Sequence, residues 1–362
     1  MKRILYLCDL SLPNKSAYAV HVMKMCEALA KNYKVDLLVN HNNQNWKSIK
    51  KNYNLENRIN ILSQQSFKNS NFFFRVINGL KAYRLVNNKK YHFIISRNIL
   101  SSIVLAIFDK KNILEIHTEM TGVTKKLFYF FLSKIKKNIK FIFIHKELSK
   151  KFRFQKKYII LDDAIKLKDF QNLKTKTVRN KFIYTGSYIE GKGIELVIEL
   201  AEYFKKYKFY LYGNINTFPE KFLDRKKKLK NIIVNDYVNY KKIPYILKSA
   251  EFLLMPYPKK IGVLIKNIDV SRYISPLKMF EYLASKKIIF ASYNKAYKHI
   301  LKNNYNSILV PPENKNEWIK TIKKVIKNKK NYLFLKTNAS LTANEYTWDK
   351  RTKKILDFIN EK

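Results

Sequence analysis

The chain has 362 residues, more than one hydrophobic core usually organises, so two domains of similar size are expected. A hydrophobic fraction of 46% with 14% aromatic residues excludes a disordered chain. Lys+Arg 73 against Asp+Glu 27 leaves a net charge of +46, a field that attracts nucleic acid or an anionic membrane; a compositional bias spread over the whole surface explains it equally well.

The first residues, "MKRILYLCDL", place charge before an apolar run too short for a signal peptide, so they read as a first strand. Cys8 and Cys26 fall on that strand and the next helix. There free thiols behave as small buried hydrophobes, which suits a cytosolic chain and not a disulfide framework. The longest apolar runs, such as "SSIVLAIF", are far shorter than the roughly 18 to 20 residues that cross a bilayer.

Short apolar strands are expected at 3–8, 35–39, 59–63, 92–96, 112–116, 140–144 and 157–161, separated by helical patterns. This alternation predicts a parallel sheet covered by helices. Helix 17–31 shows the period, with Ala19, Val22, Cys26, Leu29 and Ala30 on one face and Lys24, Glu27 and Lys31 elsewhere. The pattern breaks in the polar, basic stretch 162–181, where a linker is expected at 166–179. A second series follows, with strands near 181–185, 207–212, 231–234, 251–255, 287–292 and 307–310. The fold class is therefore α/β: two doubly wound, Rossmann-like domains, with ligands at the carboxyl ends of strands.

Three of the 7 glycines, Gly186, Gly191 and Gly193, lie in "YTGSYIEGKGIEL", between a strand and a helix, with Lys192 among them. Such a loop lets backbone approach an anion and adds a cation beside a helix start; a plain tight turn explains the glycines as well. It is neither a Walker motif nor a dinucleotide fingerprint. In "ISPLKMFEYLASKKIIFAS", Ser275 is a good N-cap and Pro276 suits the first helical position, leaving the Leu277 and Lys278 amides free for an anion. Glu281 borders the apolar face, where it can bind paired sugar hydroxyls or remain a solvated edge residue.

In order, "YTGSYIEGKGIELVIELA", "YLYGN", "NIIVNDYVNYKKIPYILKSAEFLLMPYP", "SPLKMFEYLASKKIIFAS" and "YTWDKRTKKIL" resemble the landmarks of retaining family 4 glycosyltransferases. "DLSLPNKSAYAVHVMKMCEAL", "SRNIL", "LEIHTE" and "LDDAIKLKDF" extend the resemblance over the first half. It implies a GT-B fold, two Rossmann-like domains facing a central cleft: 1–165 for the acceptor, 180–345 for the nucleotide sugar, and a last helix, 346–362, crossing back to the first. It implies that Gly186, Ser187, Lys192, Ser275, Leu277, Lys278 and Glu281 bind the donor, with Lys192 on the diphosphate and Glu281 on the ribose. His117, otherwise a packed strand-end histidine, matches the family's histidine near the reacting sugar and stands with Glu281 as catalytic. Asn14, Ser16, Ala17 and His21 belong to the acceptor or loop region.

The sequence departs from the family at Ser187, where an arginine is usual, at Tyr273, where a first glutamate is usual, and in an N-terminal loop without glycines. Lys278 is the candidate replacement for the arginine. The implied reaction retains configuration and transfers a sugar from a nucleoside diphosphate to a cell-envelope glycan or lipid-linked acceptor. No Asp-x-Asp pair occurs, so no metal and no cofactor are expected. Basic and aromatic residues at 70–90 and 125–140 supply a surface for anionic lipid at the inner face of the plasma membrane, unless Phe72, Phe73, Phe74, Phe128 and Phe131 are ordinary core residues. A sugar-nucleotide epimerase, a phosphorylase and a non-catalytic donor-binding partner share these features; specific nucleic-acid binding has only the charge in its favour.

Overall fold

The computed structural model describes residues 1–63, 72–152, 158–262 and 268–361. The chain divides into two compact units, Met1–Asp162 with Trp348–Lys362, and Asp163–Thr347. The segment 166–179, expected as a linker, is counted in the second unit, where Leu167–Phe170 forms a 3-10 turn with Asp169 and Phe170 buried. Of the basic aromatic stretch 70–90, residues 70 and 71 lie outside the described residues.

The first unit holds a seven-stranded sheet in the order Asn60–Ser63, Lys34–Val39, Arg3–Leu7, Ile94–Ser96, Asn112–Ile116, Ile139–Phe143, Tyr158–Ile160. The second holds six strands in the order Ile232–Asn235, Lys208–Tyr212, Lys181–Thr185, Phe252–Met255, Ile288–Ser292, Ile308–Val310. Every pair in both sheets is parallel. Parallel strands need crossovers, and helices then bury both sheet faces, so inner strands read as unbroken apolar runs. "FLLM" and "IIFAS" are buried at every residue, while the edge strand "YII" at Tyr158–Ile160 is not.

Strand order reverses between Arg3–Leu7 and Ile94–Ser96 in one sheet and between Lys181–Thr185 and Phe252–Met255 in the other. At these switch points neighbouring connections leave in opposite directions and open a crevice at the carboxyl ends. In the second unit the crevice meets the Gly186–Gly193 loop and Pro256–Tyr257. Tyr282 secures helix Leu277–Ser285 there: its hydroxyl accepts from Thr185 N at 2.9 Å and donates to Leu254 O at 3.2 Å.

Helix Ala17–Leu29 corrects the sequence reading. Lys24 and Glu27, expected off the core face, are buried, because helix Trp348–Asn360 and the chain at 54–56 cover what a lone amphipathic helix would expose. Lys24 Nζ donates to Asn54 O at 3.0 Å and lies 3.5 Å from Glu27 Oε2, while Glu27 Oε1 accepts from Glu56 N at 2.6 Å. Removing one member of a buried ion pair strands the other charge, at a typical cost of about 3–5 kcal/mol. Lys24→Ala is therefore expected to lower stability by about that amount in urea unfolding, and the double replacement Lys24→Met with Glu27→Gln to recover most of it.

Candidate functional site

The glycine loop of the second unit has two parts. Gly191 (φ 77°) and Gly193 (φ 81°) are left-handed, and a Cβ would stand 2.4 Å from Gly262 N and 1.8 Å from Pro256 O, so these positions require glycine for the turn itself. Gly186 also has a positive φ (140°), and its missing side chain leaves room for a cation, since a Cβ there would lie 2.5 Å from Lys278 Nζ. Tyr184, at the end of strand Lys181–Thr185, ties the loop down by donating to Ser187 O at 2.9 Å. The Ser187 backbone is thus part of the loop's frame.

The Tyr184 ring also carries Lys278, whose Nζ lies 4.1 Å from its centroid and 5.0 Å from that of Tyr257. Lys192 Nζ lies 5.6 Å from the same Tyr257 ring. Two lysines therefore lie near one buried ring, that of Tyr257, and Lys278 Nζ is buried with no hydrogen-bond partner. Burial holds the Lys192 ammonium down to about 8. Lys278 falls well below the usual lysine range, through burial first and then repulsion from Lys192, with Glu281 pulling the other way. Desolvated cations without a matching anion are unfavourable, and a polyanionic ligand relieves both penalties at once.

The helix start differs from expectation. Pro276 takes the N-cap position and makes no side-chain cap bond. Ser275, expected to cap, instead uses its hydroxyl to accept from Asp163 N at 3.1 Å, because the chain entering this unit supplies a nearer donor. The Leu277 and Lys278 amides precede the first closed turn, in which Met279 N donates to Pro276 O at 2.9 Å. Glu281 is buried and not a solvated edge residue, and Tyr273 is buried too. A cavity of about 1440 Å³ borders the same loop at Gly191 and Gly193, but its lining includes Glu190, Glu195 and Glu199 and neither Lys192 nor Lys278. The cationic site is therefore distinct from the large cavity.

In the first unit the structure separates the expected loop residues. Asn14 Oδ1 accepts from Ser16 N at 2.8 Å, and Ser16 Oγ caps helix Ala17–Leu29 through Ala19 N at 3.3 Å, so both side chains shape the loop; Ala17 is exposed. His21 is one turn into that helix and buried, with its ring edge-on to His117 at 4.8 Å and to Trp348 at 5.0 Å. Both histidines converge on Glu115, which sequence reasoning passed over as part of an apolar strand. Glu115 Oε1 lies 2.6 Å from His117 Nε2, 2.9 Å from His21 Nε2 and 2.8 Å from Arg351 Nη2.

Burial raises the Glu115 pKa, but Arg351 and His21 outweigh it and leave the carboxyl well below its usual range. His117 is held down to about 4, mainly by burial and then by the Arg97 cation. His21, Glu115 and His117 are the group among the described residues spaced to hold a metal ion. Arg351 already donates to the carboxylate oxygen that both histidines face, so its positive charge stands where a metal's would act.

An unfolded histidine titrates near about 6.5, so the unfolded chain binds the His117 proton first. This residue's contribution to stability is intact above that pH and is lost as pH falls toward about 4. His117→Gln is expected to flatten the decline of stability between those values in urea unfolding, and an unchanged slope would contradict a neutral, buried His117.

The family profile described as "Glycosyl transferases group 1" matches residues 165–344, essentially the second unit. No curated protein matches the sequence. Among solved structures, the chain resembles a glycosyltransferase from Rickettsia africae ESF-5 (TM-score 0.74, 12% identity, 100% of this chain and 99% of that chain). It also resembles Anabaena Alr3699/HepE in complex with UDP-glucose (0.73, 11%, 99% and 100%). A third likeness is to a variant of S. aureus TarM in complex with fondaparinux, alpha-GlcNAc-glycerol and UDP (0.73, 13%, 100% and 100%). At such identities the likeness shows the fold, the two-domain α/β arrangement of GT-B glycosyltransferases with parallel sheets. The second unit thus matches the group 1 glycosyl transferases, and the whole chain has their GT-B fold.

Proposed function

We propose that the protein is a retaining family 4 glycosyltransferase that moves a sugar from a nucleoside-diphosphate sugar to a cell-envelope glycan or lipid-linked acceptor in the cytoplasm. The observation that carries this reading is the Lys192 and Lys278 pair over Tyr257, with Lys278 Nζ buried and without a hydrogen-bond partner. A diphosphate brings the charge this pair lacks, and the Leu277 and Lys278 amides at the helix start add N–H donors. Lys278 stands in for the arginine that Ser187 replaces, coming from another element to occupy the space over Gly186. Glu281 takes the ribose hydroxyls, and Ser275 anchors the helix through Asp163. HepE is described with UDP-glucose and TarM with UDP, which makes uridine diphosphate the first nucleotide to test.

In the reaction the sugar–phosphate bond breaks, the sugar passes through an oxocarbenium-like state, and the acceptor hydroxyl attacks the face the diphosphate leaves, its proton passing to the departing phosphate oxygen. Preorganised cations stabilise the negative charge growing on the departing phosphate. Two lysines supply charge that a divalent ion supplies elsewhere, so the reaction proceeds without metal. His117 is assigned the part of the family's histidine in the reaction.

Thermal stabilisation by UDP, UDP-glucose and other nucleotide sugars tests the donor site. A selective rise in Tm is expected, abolished in Glu281→Ala and weakened about 10- to 100-fold in affinity by Lys192→Ala, the loss of one charge-assisted hydrogen bond. Affinity is expected to fall as pH rises above about 8, where Lys192 loses its proton. No stabilisation by any donor would overturn the reading, and complete loss of turnover in chelator would overturn the metal-free mechanism.

A membrane-facing role has its own support. Phe73 and Phe130 are 72% and 79% exposed, so they are not core residues, whereas Phe128 is fully buried. Phe73, Ile77 and Leu80 follow one another at helical spacing on the outer side of Phe72–Asn88, and exposed Lys125 and Lys126 lie on Gly122–Phe130; both helices pack on Ile99–Ile107. Among the described residues no helix is long and apolar enough to cross a membrane. Apolar residues beside lysines suit the surface of an anionic bilayer. Co-sedimentation with phosphatidylserine vesicles at physiological salt is expected, and Phe73→Ser with Phe130→Ser is expected to abolish it.

A further inference from the structure

We propose that Glu115 is a positioning residue that holds His117 as the Nε2–H tautomer and presents its Nδ1 as an acceptor, and that Arg351 of the C-terminal helix holds Glu115 in turn. A carboxylate only accepts hydrogen bonds, so the 2.6 Å contact places the His117 proton on Nε2. The neutral ring then has its lone pair on Nδ1.

Glu115 is built to stay ionised in a buried strand. Arg351 Nη2 reaches its Oε1 at 2.8 Å, and Tyr6 Oη donates to Oε2 at 3.4 Å. Arg351 is itself aimed by two further contacts, Nε to Asp162 O at 3.0 Å and Nη1 to Met25 Sδ at 3.5 Å. Glu115, Arg351, Tyr6 and His21 are all buried, whereas the His117 side chain keeps 18% of its surface. The exposed end of the chain of contacts is thus the imidazole. Besides Glu115, the charged or titratable groups acting on His117 are Arg97 and His21. The residue that closes the network lies 236 positions beyond Glu115, so the last helix is tied to the strand that carries His117.

The test is the long-range proton–nitrogen NMR spectrum of the full chain with labelled histidine, His117 being assigned from its loss in His117→Asn. A single Nε2–H form at neutral pH is expected. In Glu115→Ala the signal should move to a mixture of tautomers, while Glu115→Gln, whose amide oxygen still accepts, should restore the Nε2–H form. An Nδ1–H form in the unmodified protein overturns the proposal even if the variants fail to fold, as does an unchanged tautomer in Glu115→Ala.

The kinetic arm rests on the glycosyltransferase reading. UDP-glucose turnover in Glu115→Ala should lose at least about tenfold in kcat with KM for the donor little changed, the sign of an effect confined to the transition state. Absence of turnover in the unmodified protein would count against that reading and leave the tautomer result standing.

Discussion

Parallel strand pairing is the constraint on which the rest of this structure depends. Because every strand in the two main sheets runs parallel to its neighbours, each connection must cross a sheet face, and the returning helices bury both faces. The open edge left for chemistry is the carboxyl end, above all where the strand order reverses. In the second unit that edge holds Gly186, Lys192 and Tyr257. In the first, the strand ends deliver Asp9, Arg97 and His117 to the same side of their sheet. The positions of the candidate residues follow from this topology and not from their local sequence.

Buried charge is handled in opposite ways in the two units. Glu115 is matched by a guanidinium and by donors on two histidines, so its ionised form is the stable one. Lys192 and Lys278 are pressed onto aromatic rings; burial makes both protons costly, and the Lys192 charge adds to the cost at Lys278. A matched network fixes geometry and resists change. An unmatched pair holds unfavourable electrostatic energy that an anion beside it would relieve. Asp9 shows an intermediate case: burial pushes it up to about 6 although Arg75 lies 3.0 Å away.

Much of this was legible in the order of residues. The alternation of apolar strands with helical periods revealed two α/β units, because parallel sheets buried on both faces produce runs such as "FLLM" that surface segments do not. Gly191 and Gly193 marked a turn, since only glycine meets their positive φ without a clash. The family landmarks then pointed to Lys192, Lys278, Glu281 and His117. Glu115 and Arg351 escaped notice because a single carboxylate in "NILEI" and a single arginine in "WDKRTKK" carry no local signal of a partner. Lys24 and Glu27 escaped for a related reason: helical periodicity describes one buried face, and this helix is covered on others by segments distant in sequence.

The sequence by itself determined the elements, the fold class and the residue types available at strand ends, because side-chain period and backbone sterics act over a few residues. Tertiary structure alone decided which charges meet. It drew the Ser275 hydroxyl to Asp163 in place of the helix cap, set Lys278 in the space above Gly186, and brought Arg351 from the last helix onto Glu115. These pairings depend on distances between segments far apart in the chain, and electrostatic energies in a desolvated interior change steeply over a few ångströms.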